Sequence, residues 1–434
     1  DRIDDLEQIA ALSIRTLRYP MVWERIETKP GRFDWSWMDR RMERLRALGI
    51  RPIVGLIHHG SGPRWTNLLD DGFAPGLARF AGEAARRYPW VQDWTPVNEP
   101  LTTARFSALY GHWYPHAVSE GDCWRALLNQ VDATRLAMSA IRAVIPGARL
   151  VQTEDFGITF GTAACLEQVE HENIRRLATW DLLAGQVGEG HPLYDRISSF
   201  GFGDRLASVA KSPCPADVIG LNHYATSDRF LDHRLALYPP DLHGGNGLMA
   251  YVDTEAVRVD HGGQGGWVEM MRQLWARYAT PIAVTECHLG CSVDEQIRWL
   301  GDCWSAALSA RDEGIPVEAV TAWALLGSFD WNSLLTRQVG YYEPGAFDLS
   351  GGRGPVITPL GEAISQLANG GWIDPHAVGA PIVERGWWTR ADRFGDVATE
   401  DGYDEMIVEG ATITEHGTSR NGRHSLGEVL RSLS

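Results

Sequence analysis

The hydrophobic pattern of the chain alternates between short apolar runs and amphipathic stretches. Residues 14–20, IRTLRYP, read as a strand. They are followed by SWMDRRMERLRALG, where Met38, Met42, Leu45 and Leu48 recur at helical spacing and Gly49 supplies the stop. RPIVGLIHH (51–59) is almost continuously apolar, as a strand buried on both faces should be. A helix-like LARFAGEAARRYP then leads into VQDWTPVN. The long CWRALLNQVDATRLAMSAIRAVIPG, ended by Pro146 and Gly147, leads into ARLVQTE. Later apolar runs are DVIGLNHY (217–224), PIAVTE (281–286) and VEAVTAWALL (317–326). Between the last two, Ser292 and Glu295 have the spacing of a capping box that opens the helix DEQIRWLGDCWSAALSARDEG.

Seven strands, each followed by helix or loop, predict an α/β protein with a parallel sheet and crossover helices. The expected architecture is a (β/α)8 barrel whose first strand is missing from this chain or replaced within it. YDEMIVEGATIT (403–414) is the spare strand-like stretch that would replace it. Regular alternation stops after QLANGG (366–371), so the expected division is a barrel over 1–370 and a C-terminal appendage over 371–434. Within that appendage, Gly410 and Gly417 lack the spacing that brings backbone amides onto a pyrophosphate, and no dinucleotide site is expected.

A chain of 434 residues with 44% hydrophobic and 22% charged residues has an ordinary globular composition and enough apolar material for a large core. Its net charge of −16 argues against nucleic acid or an anionic membrane as a partner. No run of about 18 apolar residues is present to span a bilayer, and no secretory signal pattern opens the sequence, which begins with Asp1. Six cysteines are too few for a disulfide framework at this length, and they read as reduced, structural thiols of a cytoplasmic protein. Cys287, His288 and Cys291 in CHLGC lack a distant partner pair, so neither a metal nor an organic cofactor is predicted. Eighteen tryptophans point elsewhere: beyond packing a core, an indole face stacks on a sugar ring while its polar edge suits a wet cleft.

In a (β/α)8 barrel the chemistry gathers at the C-terminal ends of the strands. In chain order those ends carry Arg18, His58, Asn98 with Glu99, Glu154, Asn222 with Tyr224, Glu286, and Trp323 followed by Asp330 and Trp331. Taken singly, Arg18 reads equally as a structural ion pair, His58 as a satisfied core imidazole and Trp323 as packing. Taken together they describe one polar, aromatic rim. Glu99 and Glu286 fall on strands that face each other across such a barrel. Two carboxyls about 5 Å apart can flank one glycosidic bond, one attacking the anomeric carbon while the other protonates the leaving oxygen. The scheme needs opposite protonation states at one pH. Arg18 near Glu286 would keep that carboxylate ionised, while a less polar setting and a neighbouring negative charge would raise the pKa of Glu99.

The ordered motifs resemble those of the family 1 glycoside hydrolases, the β-glucosidase family of retaining clan-A enzymes. WTPVNEP is similar to the family's TFNEP segment, which implies Glu99 as acid/base and Asn98 as the partner of the sugar 2-hydroxyl. PIAVTECHLG is similar to ITENG, implying Glu286 as nucleophile. RYPMVWERI resembles RFSISWSRI and implies that Arg18 supports the nucleophile. GLIHHGSGP resembles LYHWDLP and implies His58 on the glycone. DVIGLNHY resembles DFIGINYY, implying substrate contacts from Asn222 and Tyr224. AWALLGSFDW resembles VWSLLDNFEW, implying Trp323, Asp330 and Trp331 as sugar-binding residues.

The resemblance covers residues 1 to about 350. It extends to a divergent clade in which such a domain is sometimes joined to a dTDP-4-dehydrorhamnose-reductase-like domain, no intact copy of which is present here. Three departures accompany it. The family's first strand with its glycone-binding Gln has no counterpart, Asp330 stands where a Glu usually contacts the 4- and 6-hydroxyls, and Cys287-His288 replaces the usual Asn-Gly. The expected function is a retaining, exo-acting β-glycosidase on small glycosides. The alternatives are transglycosylation through the same intermediate and a non-catalytic sugar- or partner-binding barrel.

Overall fold

The computed structural model describes residues 2–261, 266–352, 354–374, 376–378 and 382–394. Helix α1 (Ile3–Ala11) precedes β1 (Thr16–Pro20), and α2 (Ser36–Ala47) connects it to β2 (Arg51–Ile57). Helix α3 (Phe73–Arg87) leads to β3 (Asp93–Val97). The short α4 (Pro100–Ala104) and the long α5 (Glu120–Arg142) come before β4 (Arg149–Asp155). Next are β5 (Val218–His223), α6 (Trp267–Tyr278), β6 (Ile282–Cys287), α7 (Val293–Asp312) and β7 (Val317–Ala322). The seven strands form one parallel sheet in unbroken order from β1 to β7. This is the connectivity of a (β/α)8 fold, seven of whose strands lie among the described residues. Residues 403–414, the expected substitute strand, lie outside them, as do Gly410 and Gly417.

Local physics accounts for these elements. Met38, Met42 and Leu45 form one fully buried face of α2, each contributing about 1.5–3 kcal/mol on leaving water. The helix ends where Gly49 takes a positive φ of 69°, a conformation costly for any residue with a Cβ. Strand β3 is buried at every position, as a strand covered on both faces must be.

The chain divides into two compact units interleaved in sequence. The first comprises Asp1–Asp155, Ile174–Leu221 and Arg277–Ala283. Its strands pair in parallel register, Thr16 with Arg51, Ile53 with Asp93 and Asp93 with Arg149. Ile53, Val151, Val218 and Ala283 pack as one apolar cluster drawn from four strands, in the manner of a barrel-core layer.

The second unit comprises Phe156–Asn173, Asn222–Ala276 and Val284–Ser434. It holds the ends of β5 and β6, strand β7, and a four-stranded sheet formed by Gly244–Gly245, Ala250–Glu255, Arg229–Asp232 and Thr159–Gly161 in that order. The expected capping box at α7 is corrected here. Ser292 does occupy the N-cap position, but its side chain caps no backbone N–H. The Glu295 carboxylate instead accepts from the Ser292 hydroxyl at 3.4 Å, from the Trp387 backbone N–H at 3.3 Å and from Arg390 at 3.2 Å. The described part of the C-terminal segment thus packs on α7, with Trp388 edge-on to Trp299 and Arg258 over Trp387. Among the described residues no helix is long and apolar enough to cross a membrane.

Candidate active site

In the first unit the end of β3 carries Asn98 and Glu99, both buried, at 2% and 5% exposure. Arg18, from β1, donates through Nη2 to Asn98 Oδ1 at 2.6 Å, and Thr153, from β4, donates to the same oxygen at 2.9 Å. A guanidinium can only donate, so the atom facing it must be the amide oxygen, and the orientation of Asn98 follows. Its Nδ2 is therefore a buried amide donor, and it has no hydrogen-bond partner among the described residues. A buried donor left unpaired is costly, and it is available to a hydroxyl-bearing ligand.

Glu99 sits at φ 43° and ψ 66°, a left-handed conformation rare for a residue with a side chain. The turn that follows is held by Glu154. This residue, expected among the strand-end groups of the rim, is fully buried and faces the protein. Its carboxylate accepts from the backbone N–H of Leu101 at 2.8 Å and of Thr102 at 3.2 Å, and from the hydroxyls of Thr102 at 3.0 Å and Thr179 at 2.6 Å. Burial pushes the Glu154 carboxyl up to about 7 against the pull of these four donors. A carboxylate on the first free N–H groups of α4 stabilises the helix start directly after Glu99. It thereby supports the strained backbone from which Glu99 projects.

The end of β2 contributes two imidazoles. His58 is exposed, its ring edge-on to His59 with centroids 4.5 Å apart. His59 is the more enclosed, with Nδ1 at 2.8 Å from Thr103 Oγ1 and Nε2 at 3.8 Å from Glu99 Oε2. Burial, reinforced by the nearby His58 and Arg18, holds its pKa well below the usual imidazole value.

In the second unit Glu286, at the end of β6, is 3% exposed and accepts a short hydrogen bond at Oε2 from the Tyr224 hydroxyl. The adjacent Thr285 donates to Asn222 Oδ1 at 2.6 Å. Asn222 lies near the end of β5 and Tyr224 just beyond it, whereas His223 packs against Trp267 and Trp299. His288 pairs through Nε2 with Glu343 Oε1 at 3.0 Å and lies against Trp323, with ring centroids 5.0 Å apart. Trp323 in turn neighbours Trp331 at 5.9 Å. Asp330 is half-buried and one of its oxygens is committed, Oδ1 accepting from the Tyr341 N–H at 2.8 Å. Of the CHLGC residues, Cys287 is a buried free thiol, burial pushes the Cys291 thiol up, and Glu343 engages His288.

Within the first unit, then, the predicted residues Arg18, Asn98 and Glu99 come together with His58 beside them. Within the second, Tyr224 joins Glu286, Asn222 joins Thr285, and Trp323 joins Trp331. His59, Thr103 and Glu343 escaped the sequence reading. The doubled histidine at a strand end was the one visible signal for the first. Nothing marked Thr103 or Glu343, whose partners lie 44 and 55 positions away (343 − 288 = 55 for the latter).

No family model matches the chain. A bifunctional β-D-glucosidase/β-D-fucosidase of Bifidobacterium breve is 26% identical over 393 residues, spanning 78% of this chain and 80% of that protein. β-Glucosidase A of Thermotoga maritima is 21% identical over 377 residues, spanning 78% and 79%. Among solved structures, the family 1 β-glucosidase of Thermotoga maritima superposes with a TM-score of 0.68 at 17% identity over 86% of each chain. Its complex with azafagomine gives the same TM-score, identity and coverage. The fold is that of the (β/α)8-barrel proteins. In sequence the chain is similar to these two β-glucosidases at 26% and 21% identity.

Proposed function

We propose that the protein is a retaining β-glycoside hydrolase that acts on small glycosides by double displacement, with Glu286 as nucleophile and Glu99 as acid/base. In the first step a Glu286 oxygen attacks the anomeric carbon, and Glu99 gives its proton to the departing glycosidic oxygen, releasing the aglycone as an alcohol. In the second, water attacks the glycosyl ester, Glu99 takes back a proton, and the Glu286 carboxylate is regenerated. The Tyr224 hydroxyl donates to Glu286 Oε2 and so helps to orient the attacking carboxylate. Two carboxyl groups and water balance the reaction without a metal or organic cofactor. The reading places the activity in residues 1–370, with 371–434 as an appendage, and a reducing, cytoplasmic setting suits the free cysteines.

The observation that carries the reading is the locked Asn98, whose amide donor, unpartnered among the described residues, adjoins the buried Glu99. It supplies a grip for the sugar 2-hydroxyl beside the group that protonates the bond. Arg18, His58, Asn222, Trp323, Asp330 and Trp331 complete the proposed sugar contacts.

Asp330 refines the expected specificity. With Oδ1 engaged by Tyr341, one oxygen remains for the distal hydroxyls. A 6-deoxy glycoside should therefore be hydrolysed within about tenfold of the kcat/KM of its 6-hydroxy counterpart. A panel of aryl β-glycosides of gluco, galacto and fuco configuration, with α-anomers as controls, tests both points when the first-formed sugar is followed by NMR. The expected outcome is cleavage of β-glycosides with the β-hemiacetal appearing first. An α-hemiacetal as first product, or no turnover on any glycoside, overturns the proposal.

A further inference from the structure

We propose that His59 is a positioning residue for Glu99, an imidazole whose tautomer Thr103 fixes so that its Nε2–H faces the Glu99 carboxylate. The inference rests on the reading of Glu99 as the acid/base and adds to it a group that no sequence motif assigned.

Thr103 is fully buried in α4. Among the described residues its hydroxyl has one hydrogen-bond partner, His59 Nδ1 at 2.8 Å. A buried hydroxyl left without an acceptor is destabilising. Its proton is therefore directed at Nδ1, which must be the unprotonated nitrogen of the ring. The charged and titratable groups facing His59 include His58, Arg18 and Glu99. Burial and the first two of these keep the imidazole neutral, so its single proton resides on Nε2. That nitrogen lies 3.8 Å from Glu99 Oε2. The distance exceeds a direct hydrogen bond, but a small side-chain rotation or one bridging water closes it.

The three residues form a loop of dependent contacts. The Thr103 backbone N–H donates to the Glu99 carbonyl at 2.9 Å, its hydroxyl sets the His59 tautomer, and His59 Nε2 faces Glu99 Oε2 across 3.8 Å. Trp113, 4.9 Å from His59 between ring centroids, limits the rotation of the imidazole. When Glu99 surrenders its proton to the leaving group, negative charge develops on a carboxylate that already faces a fixed N–H dipole. His59 thus favours the ionised form of Glu99 and aims one of its oxygens, strengthening it as an acid in the first step.

The test uses the full chain with three variants: His59→Phe removes the donor, His59→Gln returns an amide donor, and Thr103→Val releases the tautomer. The pH dependence of kcat/KM is measured on aryl β-glycosides of graded leaving-group ability. His59→Phe should move the alkaline limb upward by about 0.5–1 pH unit, because Glu99 then holds its proton more tightly. It should also lower kcat/KM about tenfold more for phenyl than for dinitrophenyl glycosides, since only the former need strong protonation. Thr103→Val should shift the limb the same way by less, and His59→Gln should return it toward wild type. An unmoved limb with equal losses across all leaving groups overturns the assignment. Azide rescue of Glu99→Ala, run alongside, separates the two layers. If rescue fails, the reading of Glu99 is wrong; if rescue succeeds while the His59 and Thr103 variants keep the wild-type limb, only the role of His59 is wrong.

Discussion

Replacing Glu286 with Gly is expected to reduce hydrolysis of aryl β-glycosides by on the order of 10⁴-fold or more, on a fold that remains intact. The side chain is buried at the end of β6 and its carboxylate is held by Tyr224, so the substitution removes the attacking oxygen while the strand keeps its backbone pairing. Without that oxygen no glycosyl ester forms, and water must displace the aglycone unaided. Adding azide at high concentration places a small anion where the carboxylate stood. The account predicts partial recovery of aglycone release from an activated β-glycoside and an α-glycosyl azide as product, because one displacement inverts the anomeric centre. A Glu286→Gly protein that retains more than about a tenth of wild-type turnover would exclude this residue as nucleophile.

Glu99→Ala should behave differently, and the contrast carries much of the argument. General acid–base assistance is worth about 10² to 10⁴ in rate. Loss of the proton donor should cost that much kcat/KM for glycosides with poor leaving groups and little for dinitrophenyl glycosides, which depart without help. With the activated substrate the ester forms at nearly normal speed and then accumulates, since no base activates water. A burst of aglycone followed by a slow steady state is the expected trace. Azide needs no base, so it should restore turnover and yield the β-glycosyl azide by two successive inversions. Uniform loss across all leaving groups, with no azide effect, would instead indicate that the variant damages the α4 turn that Glu154 supports.

Much of the fold was legible because its signals are local. Strand runs such as 51–59 and 281–286 coincide with β2 and β6 to within two residues, since continuous apolar character over that length reflects burial on both faces. Helix α2 followed from the spacing of Met38, Met42 and Leu45, and its stop from Gly49. The side-chain direction of isolated polar residues was harder to read. Glu154 stood at a strand end like the rim residues, yet it turns into the protein because backbone N–H groups of α4 await an acceptor there. Ser292 and Glu295 have capping-box spacing and their side chains meet at 3.4 Å, yet Ser292 caps no backbone N–H and Glu295 also serves Trp387 and Arg390, more than 90 positions away. His59 lies beside His58, and which imidazole turns toward Glu99 depends on Thr103 in a later helix. Sequence spacing encodes the period of an element; it does not encode which remote donor reaches an acceptor first.

The most direct measurement of the central claim is the site of covalent attachment after treatment with a panel of 2-fluoro-glycosyl inactivators. The fluorine slows both displacements, while a good leaving group lets the first proceed, so the ester accumulates and survives proteolysis and mass spectrometry. The account predicts one glycosyl adduct per chain, on the peptide containing PIAVTECHLG and at Glu286, with activity lost in proportion to labelling. An adduct on any other residue in an inactivated protein would contradict it.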